Sequence, residues 1–127
     1  MDNFGFTKLV VGDLEKAASF YKSVFGLTEQ ARVNSAIAGR AISEILFNPT
    51  SAGGATFVLL SFPETRTPAS SEVILGFMTS DMSALLERTR AAGGRIVEDA
   101  TSRPEHGVKV AFVRDVEGHL IEVVQLL

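Results

Sequence analysis

The sequence predicts an α+β fold built from two tandem βαβββ modules. Three observations carry that prediction. A segment recurs 68 positions further along, each copy frames a helical pattern between an aspartate and a glycine, and three strand-like runs follow each helix.

The first copy, Phe6 to Leu27, reads FTKLVVGDLEKAASFYKSVFGL; the second, Ile74 to Arg95, reads ILGFMTSDMSALLERTRAAGGR. Each opens on a short apolar run suited to a strand. Asp13 and Asp81 stand where a helix begins. A carboxylate there accepts the free amide hydrogens of the first turn and suits the positive end of the helix dipole. Leu14, Ala17, Ala18, Tyr21 and Phe25 recur at helical spacing as one apolar stripe, and Met82, Leu85, Leu86 and Thr89 do the same in the second copy. Gly26 and Gly93-Gly94 end the two patterns, because glycine enters the left-handed helix-ending conformation without steric cost.

Three further strands are expected after each helix: Leu27 to Asn34, Arg40 to Asn48 and Ala55 to Phe62, then Arg95 to Thr101, Val108 to Arg114 and His119 to Leu126. Gly53-Gly54 and Glu117-Gly118 are tight-turn signals ahead of the last run of each set. There GHLIEVV from Gly118 matches GATFVLL from Gly54 at an offset of 64, so one loop of the second module is shorter.

The stretch from Phe62 to Ser71, rich in Pro, Thr, Ser and Ala, is the natural linker. It divides a single domain, 1–127, into module one at about 4–62, a linker at about 63–71 and module two at about 72–127. A module of that size is too small to stand comfortably alone. Its helix covers one sheet face, and the other face needs the second module or a second chain. The expected arrangement is therefore a cupped mixed sheet and a homodimer. A ferredoxin-like α+β sandwich is the competing reading, and it would leave the matched Asp–helix–Gly frames a coincidence.

Composition narrows the function. Hydrophobic residues make up 46% of the 127, enough to fill a core at this length. The net charge of −3 gives no electrostatic reason to expect nucleic acid or an anionic membrane as partner. The chain has no cysteine, which excludes disulfides, zinc–thiolate sites and thiol nucleophiles. No apolar run approaches the roughly 18 residues of a membrane span, and the start, Met1-Asp2-Asn3-Phe4, lacks the order of a secretion signal. A cytoplasmic protein is expected.

Two segments resemble the vicinal-oxygen-chelate superfamily, the glyoxalase, bleomycin-resistance and dioxygenase-like proteins. LVVGDLEKAASFYKSVFGL, Leu9 to Leu27, looks like the family's first strand, aspartate cap and helix end; RDVEGHLIEVVQ, Arg114 to Gln125, is similar to its final turn and strand. The resemblance implies the fold, but no one reaction, because the fold hosts several chemistries and some pure binders. It also implies a divalent metal held by four side chains, one on the first and one on the last strand of each module. The corresponding positions here are Phe6, Val58, Ile74 and Glu122. Phe, Val and Ile have no metal-donor atom, and one carboxylate does not make such a site. No metal and no other cofactor is therefore expected.

In that family the ligand positions face a cavity, and alternation along strands assigns their neighbours. Phe6, Lys8, Val58, Ile74, Met78, Leu120 and Glu122 then line a mostly apolar cup with two charges. Glu122 is the candidate catalytic residue, as proton acceptor or as partner for a ligand amine or hydroxyl; the bland reading is a carboxylate neutralised by Lys8 or open to water. Lys8 reads equally as a mouth residue with its ammonium in water. Phe6 can stack on a flat ligand or merely fill space. Arg40 and Glu44 are expected on an exposed edge, His106 and His119 as exposed loop residues, and the arginines at 88, 90, 95 and 103 as a solvated surface.

The favoured function is a metal-free binder of a small, partly hydrophobic or aromatic molecule, resembling the bleomycin-resistance group. The alternative is a lyase, isomerase or dioxygenase of the glyoxalase type, and a third reading is a module acting only through its dimer.

Overall fold

A computed structural model describes residues 4–64 and 73–127. In chain order it holds β1 (Phe6–Val10), α1 (Leu14–Phe25), β2 (Glu29–Ile37), β3 (Arg40–Phe47) and β4 (Thr56–Ser61). Then follow β5 (Ile74–Met78), α2 (Met82–Ala91), β6 (Arg95–Arg103), a 3-10 turn at Pro104–His106, β7 (Val108–Arg114) and β8 (Leu120–Leu126). These are two βαβββ units. From residue 65 onward, the expected linker lies outside the described residues.

The helix frames form for the reasons read in the sequence. Asp13 accepts from the Lys16 amide at 3.0 Å and Asp81 from the Ala84 amide at 3.1 Å. Gly26 closes α1 at φ 68°, a left-handed value that favours glycine. Gly94 has a different need. A methyl group there would lie 2.6 Å from the Phe20 ring and 2.8 Å from the Arg114 carbonyl oxygen, so only glycine lets α1 approach this strand.

Each unit makes its own four-stranded mixed sheet, in the orders β1-β4-β3-β2 and β5-β8-β7-β6. The β1–β4 and β5–β8 pairs are parallel and the others are antiparallel. Phe6 stands opposite Thr56 and Ile74 opposite Leu120, so the offsets of 68 and 64 reappear in the strand register. Among the described residues no strand pairing joins the two sheets, so the two modules contribute one four-stranded mixed sheet each.

Both sheets turn one face to a shared core. Leu9, Val11, Phe47 and Leu59 enter from the first sheet, and Ala111, Val113, Ile121 and Val123 from the second, around both helices. Aromatic rings join the halves: Phe25 stacks on Phe77 at 3.9 Å between centroids, and Tyr21 lies 6.3 Å from Phe77. Burial of each large apolar side chain here stabilises by about 1.5–3 kcal/mol. Phe20 and Val24 are also buried, which the single predicted stripe omits. The stripe is wider because α1 packs on α2 as well as on its own sheet.

Among the described residues, no helix is long and apolar enough to cross a membrane.

Candidate functional site

Strand alternation divides the predicted site residues between two outward faces. Leu9 and Leu59 point into the core, so Phe6, Lys8 and Val58 lie on the opposite face of the first sheet, with Lys8 beside Val58. By the same logic Ile74, Met78, Leu120 and Glu122 share the outer face of the second sheet. The seven are thus brought together as two groups, three on one sheet and four on the other, with the common core between them.

The two faces differ in character. On the first, Val58 and Leu60 are buried, and Glu44 is 8% exposed. Lys8 donates to Glu44 Oε2 at 2.9 Å. This corrects two expectations. Glu44 is not on an exposed edge, because β3 is interior to its sheet, and the partner of Lys8 is Glu44 and not Glu122. Arg40 is exposed as expected. On the second face Ile74 is 60% and Met78 64% exposed, and Phe6 on the first is 58% exposed. Glu122 is half-buried between Gly76 and Phe112 on the neighbouring strands, and space is open beside Gly76. Glu122 makes no ion pair among the described residues.

The four positions of the family's metal set do not fit a metal. Three are hydrocarbon, and they stand on two sheets that face away from the shared core. No group of three or more His, Asp or Glu able to hold an ion occurs among the described residues.

A buried polar network is the feature that sequence reading missed. His119 is 6% exposed, not a loop residue in water, and its Nδ1 lies 2.8 Å from Asp115 Oδ2. Tyr21, from the other unit, donates its hydroxyl to the same oxygen at 2.8 Å. Asp115 Oδ1 accepts from the Glu117 and His119 amides at 2.8 and 2.9 Å, and the His119 ring also reaches the Val10 backbone. Next to it, the Glu117 carboxylate accepts from the Gly12 and Asp13 amides, each at 2.8 Å. The turn before β8 is thereby fastened to the β1–α1 junction of the first unit.

These contacts set the charges. Burial alone would raise the Asp115 carboxyl, but hydrogen bonds from His119 and Tyr21 hold it below the ordinary aspartate value. Its bond to Asp115 raises His119 above the ordinary histidine value, against the opposing effect of burial. Burial first, then Asp115, pushes the Tyr21 hydroxyl far up. His106 is exposed as expected, at the end of the 3-10 turn. Of the arginines, Arg88 departs from a purely solvated role, since its Nε donates to the Val24 carbonyl at 2.9 Å.

A cavity of about 650 Å³ lies between the units, against β5. Ile74 and Met78 line it, but Phe6, Val58 and Glu122 do not.

Comparison with known proteins agrees with this geometry. The sequence model of the Glyoxalase/Bleomycin resistance protein/Dioxygenase superfamily matches residues 3–123. A lactoylglutathione lyase of Arabidopsis thaliana is 27% identical over 98% of this chain, which spans only 45% of that protein's length. A protein of Vibrio parahaemolyticus described as a "Probable lactoylglutathione lyase" is 25% identical over 94% of this chain and 87% of its own. The crystal structure of a glyoxalase family protein from Bacillus cereus superposes with a TM-score of 0.84 at 20% identity, covering 97% of this chain and 93% of that one.

Proposed function

The chain belongs to the Glyoxalase/Bleomycin resistance protein/Dioxygenase superfamily, and from that premise we propose that it binds a small, partly hydrophobic molecule without the family's usual metal. One observation carries this reading. Phe6, Val58 and Ile74 stand at three of the family's donor positions as hydrocarbon, while Glu122 keeps a carboxyl group with no ion-pair partner among the described residues, beside the open space at Gly76. Apolar walls with one fixed polar group describe a small-molecule site. Phe6, Ile74 and Met78 are too exposed to enclose a ligand within one chain, which favours a homodimer in which each outer face is closed by a second copy. A cytoplasmic location fits the cysteine-free, mildly acidic chain.

The test has three parts. Elemental analysis of protein purified without chelator should find no stoichiometric divalent metal, and light scattering should give a dimer mass. A thermal-shift screen of hydrophobic and aromatic compounds should find a stabiliser whose effect is lost in Ile74→Asp and weakened in Glu122→Gln. A stoichiometric metal, or no stabiliser at all, would overturn the reading.

A second reading, a lyase of the glyoxalase type, is favoured by the names of the two curated relatives. Glu122 would then serve as the proton acceptor. Formation of lactoylglutathione above the buffer rate, abolished in Glu122→Gln, would establish it.

A further inference from the structure

The cavity between the units is the counterpart, under the internal duplication, of the place where the Tyr21–Asp115–His119 network sits. The two turns correspond: Gly118 N donates to the Asp115 carbonyl at 3.1 Å and Gly54 N to the Ser51 carbonyl at 3.0 Å. The strand ends correspond too, with Val11 N bonded to the Leu60 carbonyl and Thr79 N to the Val124 carbonyl. On the closed side, Tyr21, Asp115, Glu117 and His119 fill the junction. At the offsets of 68 and 64, their counterparts are Thr89, Ser51, Gly53 and Ala55. Every one of the four is smaller than its counterpart, and Ala55, which stands where His119 stands on the closed side, lines the cavity.

The lining suits a ligand of definite chemistry. The floor is aromatic, from Phe25, Phe57 and Phe77, with Phe25 and Phe77 already stacked. The rim carries the hydroxyl residues Thr7, Thr50, Thr79 and Ser80. Arg88 stands at the same wall, its Nε tied to the Val24 carbonyl and its guanidinium without a carboxylate partner among the described residues. Among the described residues, no acidic side chain lines the cavity. An arginine held in place by its own backbone contact is a preorganised anion receptor. The volume falls in the range of small-molecule sites, on the order of 300–1,000 Å³.

We propose that this cleft is a second binding site, distinct from the outer sheet faces, for a small aromatic carboxylate whose ring rests on Phe25, Phe57 and Phe77 and whose anionic group meets Arg88. The ligand supplies the ring and the acid that Tyr21 and Asp115 supply on the closed side. The cleft shares Ile74, Gly76 and Met78 with the outer face of β5, but its floor belongs to the core side.

Nuclear magnetic resonance titration of the isotope-labelled full chain with phenylacetate and, separately, with uncharged phenylacetamide tests this. Phenylacetate should shift the amides of Thr50, Thr79, Ser80 and Arg88 and leave that of Glu122 in place. Phenylacetamide and the variant Arg88→Gln should each weaken binding about tenfold, the loss of one charge-assisted hydrogen bond. Ala55→Trp, at an exposed lining position, should block binding while the spectrum stays folded. The proposal is overturned if phenylacetate shows no saturable binding at millimolar concentration, if its shifts centre on Leu120 and Glu122, or if Arg88→Gln binds as the wild type does.

Discussion

The two junctions between the units share a backbone plan and differ in what fills them. At one, the turn Asp115 to Gly118 presses on the start of α1; the buried Tyr21, Asp115 and His119 side chains satisfy one another, and the Glu117 carboxylate accepts from the Gly12 and Asp13 amides. At the other, Thr50 and Ala55, which flank the turn Ser51 to Gly54, line open volume together with Thr79 and Ser80 ahead of α2. Duplication has therefore been kept in the strands and helices and abandoned in the contacts. The lesson is that one junction holds the units together and the other is left available for a ligand. Side chains mark the difference, since Gly118 N and Gly54 N, and Val11 N and Thr79 N, make matching backbone hydrogen bonds at the two junctions.

The comparison breaks most clearly at Asp115. Replacing it, Asp115→Ala, strands the Tyr21 hydroxyl and the His119 ring without their acceptor, and should cost about 3–5 kcal/mol. Chemical denaturation measures this, and the counterpart change Ser51→Ala should stay within about 0.5 kcal/mol.

The stabilisation from Asp115 should also vary with pH. His119 faces Asp115, Glu117 and the Val10 carbonyl, and Tyr21 faces Asp115. The raised histidine contributes stability that is complete below its ordinary value of about 6.5 and is lost as pH rises through its folded value. The depressed Asp115 contributes stability that is present above about 3.9 and is lost as pH falls through its folded value. The stability gap between the wild type and Asp115→Asn should therefore be widest between about pH 4 and 6.5 and shrink on both sides. A gap that does not change from pH 5 to 9 would show that His119 is not part of the fastening.

Tyr21→Phe keeps the ring among Phe25, Phe57 and Phe77 and removes only the hydroxyl, so it should cost about 1–2 kcal/mol in the same denaturation assay. The smallest effect should come from Glu117→Ala, which frees the Gly12 and Asp13 amides to exposed surroundings and should cost about 0.5–1 kcal/mol. If Glu117→Ala proved as damaging as Asp115→Ala, the fastening would lie in the exposed contact and not in the buried one.

The fold was legible because it rests on local signals. Asp13 and Asp81 cap helices through amides three residues away, and Gly26 ends one by its own backbone preference. The assignment of outer-face residues was legible for the same reason, since alternation places Phe6 and Lys8 opposite Leu9 once the strand is known. His119 and Glu44 were misread. The partner of His119 closes on Tyr21, 94 positions from Asp115, and that of Glu44 is Lys8, 36 positions away. A lone tyrosine on a helical stripe and an Asp–His pair flanking a turn were the available hints, but nothing in the chain says that the one meets the other.

By itself, then, the sequence determined the two βαβββ units, their caps and their strand register offsets. Each follows from residue chemistry and spacing within a few positions. Only the tertiary structure decided that the two sheets stay separate around one core, that Asp115, His119 and Tyr21 become a buried junction, and that the matching junction stays open. Those outcomes depend on long-range packing. Burial of a polar group is tolerated only where partners from distant segments converge on it, and linear order does not record that convergence.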